Sequence, residues 1–315
     1  GWLEKDVLPN LNSSLSTAYS IGKENYSMRF DSETNSIYSA DEMFGKAMEV
    51  KAKTKNKMAL LADSLWQGYF GILKKPNDQR KITDLVTDTI AASYASSSSA
   101  NDQAVSFADF VDFVHENELL PDDFFIEDEH NGSNKSISVV ELLNLIAAQT
   151  VQFHESSESE AAAVSHEERS QYVGWALYLL QTSIEQGFAE NQPEFRMLFY
   201  RELLKATCRS ILGYDVHVRG MNEREVIEML TYEAHLPLEE AQSIWGQVLL
   251  KPVENSVAFT SYYEILQLRN EIKSRAGRDF ELEDFHEYFL SFGSLPINHI
   301  RIEMMKNGNG KNASA

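Results

Sequence analysis

Five stretches of this chain open in the same way. A residue able to cap a helix stands first and a carboxylate follows three positions later: Ser39 and Glu42, Ser106 and Asp109, Ser138 and Glu141, Ser165 and Glu168, Asn222 and Glu225. A helix start leaves backbone N–H groups unpaired. The capping oxygen accepts from one of them, and the carboxylate accepts from the N–H of the cap residue itself. Apolar residues at helical spacing follow these signals. Met43, Met48, Met58, Leu61 and Leu65 recur along a mostly charged segment, and Leu142, Leu143, Ile146 and Val151 recur after Ser138. Pro237 suits the first turn of a further helix. Leu120-Pro121 ends the helix that begins at Ser106, and a last long helix runs near Leu282 to Phe292 and stops at Gly293.

Strand signals are thin. Phe124-Phe125-Ile126 and Ser136-Ile137-Ser138 flank Asn131-Gly132, a hairpin turn signal, and Tyr26 to Ile37 is the other segment that could pair as a hairpin. The expected fold class is therefore all-α, with at most short β-hairpins. The expected organisation is a single helical domain over residues 1–306. Linker-like stretches lie at Ser93 to Asn101 and Ser156 to Ser165, and residues 307–315 form a Gly/Asn/Lys-rich disordered tail.

Charge narrows the partners. Lys+Arg is 28 and Asp+Glu is 48, for a formal net charge of −20. Such a surface repels nucleic-acid phosphates and anionic membranes, so no nucleic-acid partner is expected. No apolar run is long enough to span a bilayer. The opening Gly1-Trp2-Leu3-Glu4 lacks the basic and apolar regions of a signal peptide, as though a segment upstream had been removed. The single cysteine, Cys208, lies among Leu203, Leu204 and Ile211 and is expected to be a buried small hydrophobe. Trp175 and Tyr178, three residues apart on one helix face, are expected in the core.

Few residues suggest chemistry. In zinc peptidases a His ligates the metal and the adjacent Glu acts as general base on bound water. His154-Glu155 has that form at the end of an apolar-faced helix, but no second His follows one turn on, only Ser156-Ser157-Glu158-Ser159-Glu160. His166-Glu167 is a second such pair, and acidic residues there complement a helix start without any metal. Arg209, Asp215 and His217 lie close together in sequence, and a solvated cluster near a helix end accounts for them. There is no glycine-rich phosphate loop, no serine nucleophile elbow and no cysteine metal spacing.

From Gly174-Trp175-Ala176-Leu177-Tyr178 onward the chain resembles a bacterial family, domain of unknown function 885, whose members look like zinc metallopeptidases. Arg209, His217 and Gly220 match the family's Arg and its Asp-Thr-Gly-x-His followed by Gly. Glu225-Val226-Ile227, Pro252 and Leu268-Arg269 continue the pattern. Gly277, Phe280, Leu282, Phe285 and His286 follow in register, and Gly293-Ser294-Leu295-Pro296 closes it. The resemblance is clearest over residues 138–306. It implies a helical, metallopeptidase-like scaffold in an exported protein of the periplasm or cell envelope, with a lipid anchor upstream of this chain. Typical family members are longer.

The departures from the pattern are selective. The nearest segment to the family's His-Glu-x-x-Pro-Gly-His is His154 to Glu160, which keeps only its first two residues. The Glu of its Glu-Gly-Trp is Val173 here. The Asp of Asp-Thr-Gly-x-His is missing from its register, an Arg-Tyr pair is Gln247-Val248, a Gln is Glu254, and a Tyr is Ala258. The resemblance thus implies a degenerate site, with His154 and Glu155 as remnants of a catalytic pair and no catalytic residue or metal site intact. His154, Glu155, Glu158, Arg209 and His217 are the candidate binding residues. No cofactor is expected, and the expected role is binding or scaffolding toward a peptide or protein partner. The alternative is an active zinc peptidase with rearranged ligands drawn from His154, His217 and Glu158 or Glu160.

Overall fold

Each of the four cap signals that the structure describes does start a helix. Ser39, Ser106 and Asn222 form complete capping boxes with Glu42, Asp109 and Glu225, and the Ser138 hydroxyl accepts from Glu141 N at 3.2 Å. The structure, a computed structural model, describes residues 19–96, 105–121, 124–125, 137–157 and 166–306, with the backbone alone at 95–96, 155–157 and 166–170. Ser165 lies outside these residues, and the helix after it begins at His166.

The described residues form twelve α-helices. They are α1 (Lys23–Thr34), α2 (Ala40–Phe70), α3 (Gln79–Ser96), α4 (Phe107–Glu116), α5 (Val139–Ser157) and α6 (His166–Glu185), then α7 (Pro193–Arg219), α8 (Glu223–Glu233), α9 (Leu238–Leu250), α10 (Glu254–Ala276), α11 (Leu282–Leu290) and α12 (Ile297–Lys306). A 3-10 turn, Gly277–Asp279, follows α10. The fold is all-α, with no strand or sheet among the described residues beyond a single bridge position at Ser106.

The hairpin expected at Tyr26 to Ile37 is instead helix α1. Tyr26 and Phe30 are four residues apart and both about 1% exposed, so the apolar residues follow a helical period and not strand alternation. Asn35, at φ 49°, closes that helix in the left-handed region. Of the second hairpin, Phe124 and Phe125 are buried in a bend, and residues 126–136 lie outside the described residues, as does the tail 307–315. Helix α4 stops at Glu116, before Leu120-Pro121, because Asn117 leaves the helix and Glu118 turns to φ 49°. Pro237 sits just before α9 as its cap. The last long helix ends at Leu290, and α12 follows it.

Helix α7 is the hub, touching α1, α2, α3, α5, α6, α8, α9 and α10. Its buried residues include Phe195, Met197, Phe199, Leu204, Cys208 and Leu212, and burial pushes the Cys208 thiol up to about 12, leaving it an inert core group. The most extensive helix pair is α6 against α10. Gly174 permits it: a Cβ there would lie 2.5 Å from Ser261 Cβ, 2.6 Å from the Ala258 carbonyl oxygen and 2.8 Å from Tyr262 N. One residue on, Trp175 is 2% exposed and stacks on Phe289 at 5.1 Å. The buried His286 ring links three elements. Its Nδ1 faces the Leu119 carbonyl at 2.5 Å and its Nε2 faces the Tyr178 hydroxyl at 2.8 Å. A neutral ring satisfies both, donating from Nδ1 and accepting at Nε2, and burial pushes its pKa down to about 4.

Glu264 on α10 is also buried. Its carboxylate accepts from the Ser36 hydroxyl at 2.6 Å and from Ile37 N at 3.0 Å, tying the α1–α2 connection to α10. Burial outweighs these bonds and raises its pKa from 4.5 to about 7. A carboxyl raised in the folded state contributes stability that is complete below about 4.5 and is lost as pH rises through about 7.

Three outcomes are expected. Gly174→Ala should lower thermal stability by about 1–3 kcal/mol, because the clash is with backbone of another helix. Trp175→Ala should cost roughly 3–5 kcal/mol, and a near-neutral result would move that ring out of the core. Glu264→Gln keeps an acceptor for Ser36 and Ile37 and should flatten the fall of melting temperature between pH 4.5 and 7; an unchanged pH profile would remove Glu264 from that role.

Candidate functional site

Three helix faces and one helix junction surround a cleft of about 550 Å³. From α5 come Val140, Leu143 and Asn144, spaced to share one face, and from α6 come Val173 and Leu177. From α7 come Glu202, Lys205, Ala206 and Arg209, a stripe at i, i+3, i+4 and i+7. Gln247, Leu250 and Lys251 at the end of α9, with Glu254, Asn255 and Ala258 at the start of α10, complete the wall. The apolar lining faces solvent to an unusual degree: Val140 is 45%, Val173 36% and Leu250 82% exposed.

Arg209 is the centre of the polar wall. Its Nη2 donates to Gln247 Oε1 at 2.5 Å and to Asn255 Oδ1 at 2.7 Å, and both acceptors are neutral amides. The neighbouring cations do have carboxylate partners. Lys205 pairs with Glu240 and lies 3.6 Å from Glu202, and Lys251 pairs with Glu254 at 2.5 Å. Among the described residues no carboxylate lies within ion-pair distance of Arg209. Burial pushes its pKa below the usual arginine value, and the more distant Glu240 and Glu254 only partly oppose this.

The cleft gathers four of the positions at which the chain departs from the pattern it resembles, Val173, Gln247, Glu254 and Ala258, together with Arg209; Val248 and, of the 154–160 segment, the described His154 do not line it. The other candidate residues lie elsewhere. His154, near the end of α5, is 8% exposed and does not line the cleft. Its Nδ1 meets the Tyr172 hydroxyl at 3.2 Å. Its buried Nε2 makes no hydrogen bond of ordinary geometry, although the Leu290 backbone is near enough to oppose, weakly, the downward pull of burial on its pKa. Glu155 lies on the same helix, where only the backbone is described, and Glu158 and Glu160 lie outside the described residues.

His217 is a clamp. Its Nε2 faces the Val248 carbonyl at 2.8 Å and its Nδ1 the Tyr19 carbonyl at 3.2 Å, while its own carbonyl accepts from Gly22 N at 3.0 Å and from Ser20 Oγ at 2.6 Å. The ring joins residues 19–22 and the end of α9 to α7. Asp215 instead pairs with Arg219 at 3.2 Å. Arg209, Asp215 and His217, neighbours in sequence, therefore serve three separate surroundings.

A catalytic zinc takes three nitrogen, sulfur or oxygen donors and keeps one position for water. The described residues do not fit it. Val173 and Ala258 bring no donor atom to the cleft, no histidine lines it, and both nitrogens of His217 face backbone carbonyls. No three His, Cys, Asp or Glu of the described residues come together as a metal site.

The architecture and cleft define a helical protein with an open pocket, apolar on one side and cationic at its centre. Residues 159–304 match the sequence profile of a family described as bacterial protein of unknown function (DUF885), the family whose motifs run from Gly174 to Pro296. The fold recurs in the structure of a "putative lipoprotein of unknown function" from Shewanella oneidensis, 24% identical, with a TM-score of 0.77 over 96% of this chain. It recurs also in a "putative lipoprotein" from Colwellia psychrerythraea, 12% identical, with a TM-score of 0.63 over 98% of this chain. This chain spans 63% and 62% of those chains, under two thirds of either. No curated protein matches this sequence.

Sequence reasoning missed Lys205, Glu202 and Asn144 as cleft residues. The signal was present as the i, i+3, i+7 stripe ending at Arg209. It identifies a helix face but not what that face looks onto. If His217 is a clamp, His217→Ala should cost about 1–3 kcal/mol through lost buried hydrogen bonds and leave the metal content of the purified protein unchanged; a fall in bound metal would make it a ligand instead.

Proposed function

We propose that this chain is a non-catalytic binding protein of the bacterial cell envelope, built on a zinc-metallopeptidase-like helical scaffold, and that the cleft around Arg209 receives a peptide or protein segment. The observation that carries this is the make-up of the cleft. Four of the positions where the resemblance places polar site residues, Val173, Gln247, Glu254 and Ala258, line it, and two of them, Val173 and Ala258, have side chains that can neither ligate nor donate. An envelope location is supported by the two solved proteins of like fold being described as putative lipoproteins. No helix of the described residues is long and apolar enough to cross a membrane.

The rival reading is an active zinc peptidase with rearranged ligands. One observation favours it: the buried Nε2 of His154 makes no hydrogen bond of ordinary geometry, with only the Leu290 backbone near it. Against it, His217 would have to turn away from the Val248 and Tyr19 carbonyls before it could join. Protein purified without chelators should carry well under one zinc per chain and should not cleave a mixed peptide library. Stoichiometric zinc with peptide hydrolysis abolished by Glu155→Gln would reverse the proposal.

A further inference from the structure

The cleft is half apolar and half polar, and the two halves are incomplete in different ways. Val173 leaves aliphatic surface facing solvent from α6, with the buried Leu177 beneath it in the lining, and Leu250 does so at the rim. Opposite them, Arg209 spends its Nη2 on the Gln247 and Asn255 amide oxygens. These acceptors fix the plane of the guanidinium without neutralising it. Lys205 and Lys251 are already matched to Glu240 and Glu254, so the unmatched charge is that of Arg209 alone. A half-buried guanidinium held in place by amides through Nη2 keeps its Nε and Nη1 donors and its positive charge for an anion. The apolar wall beside it sets what that anion must be attached to.

We propose that the cleft binds an aliphatic carboxylate, with the carboxylate on Arg209 and the hydrocarbon part against Val173 and Leu177. The chemistry is met by the free C-terminus of a peptide ending in an aliphatic residue and by a fatty acid. A bare inorganic anion satisfies only half of it. This rests on the cleft being a binding site and goes beyond it by naming the group recognised.

The test uses trileucine, trileucine C-terminal amide and octanoate, titrated calorimetrically into the full chain, with cleavage followed in parallel. At least one of the two carboxylates should bind at one site per chain, and the amide should bind roughly tenfold or more weakly than trileucine if trileucine is the ligand. The tighter of trileucine and octanoate identifies the source of the carboxylate. Arg209→Gln should weaken the binding carboxylate by roughly tenfold or more. Val173→Glu, at a position 36% exposed, should do the same with the helical spectrum unchanged, because the new carboxylate competes for Arg209. It also keeps the test decisive if Arg209→Gln does not fold. No binding of either carboxylate, equal binding of acid and amide, or binding indifferent to Val173→Glu would overturn the proposal. Hydrolysis of trileucine with Arg209-dependent binding would instead overturn the non-catalytic function and leave the carboxylate assignment standing.

Discussion

The contact of α6 with α10 at Gly174 sets the geometry of the C-terminal half. A side chain at that position would have to occupy the space of Ser261 Cβ and of the Ala258 and Tyr262 backbone, so the two helices meet at a distance only glycine allows. The consequences extend both ways from the contact. On the buried side, Trp175 is brought over Phe289 and Tyr178 onto His286, which joins α6 to α11 and to the Leu119 backbone. On the open side, Val173 and Ala258 become neighbours on the wall of one cleft. Gly213 does similar work on α7, where a Cβ would lie 2.8 Å from the Pro252 carbonyl oxygen and 2.9 Å from the Tyr26 hydroxyl. Gly174 and Gly213 are thus explained by packing, without any appeal to chemistry.

The fold was legible wherever the signal was local. A capping box involves four consecutive residues, and its energetics are settled before any tertiary contact exists. Those at Ser39, Ser106 and Asn222 accordingly mark helix starts to the residue. Tyr26 to Ile37 misled because its helix has no capping side chain: Gly22 occupies the N-cap without a side-chain bond. What makes it a helix is long-range. Tyr26 contacts Ser256 Oγ at 3.2 Å and stacks on His217, and no window of sequence around it contains those partners. Helix α4 ended early for a related reason, since the Glu118 turn at φ 49° is stronger punctuation than the Leu120-Pro121 that follows it.

The site was legible in its membership but not in its layout. The positions of departure, Val173, Gln247, Glu254 and Ala258, and the retained Arg209 could be picked out one at a time, and the fold brings them to one wall. The histidines could not be placed in this way. A histidine in an apolar stretch reads the same whether its nitrogens face a metal, a hydroxyl or a carbonyl. Here His217 faces carbonyls and His286 a carbonyl and a phenol. His154 has a phenol on one side and an unbonded nitrogen on the other. Burial lowers the pKa of all three, which favours the neutral ring; that matches the one carbonyl and one phenol at His286, whereas at His217 a neutral ring donates to only one of its two carbonyls.

Arg209 differs from the other cations around the cleft in what it would cost to leave as it is. Lys205 and Lys251 sit in ion pairs, so their charges are already compensated and worth little more to a ligand. A guanidinium partly withdrawn from water and facing only amide dipoles keeps most of its desolvation penalty, because a neutral acceptor returns less than a carboxylate does. Val173, which lines the same cleft, brings no acidic group to offset that charge.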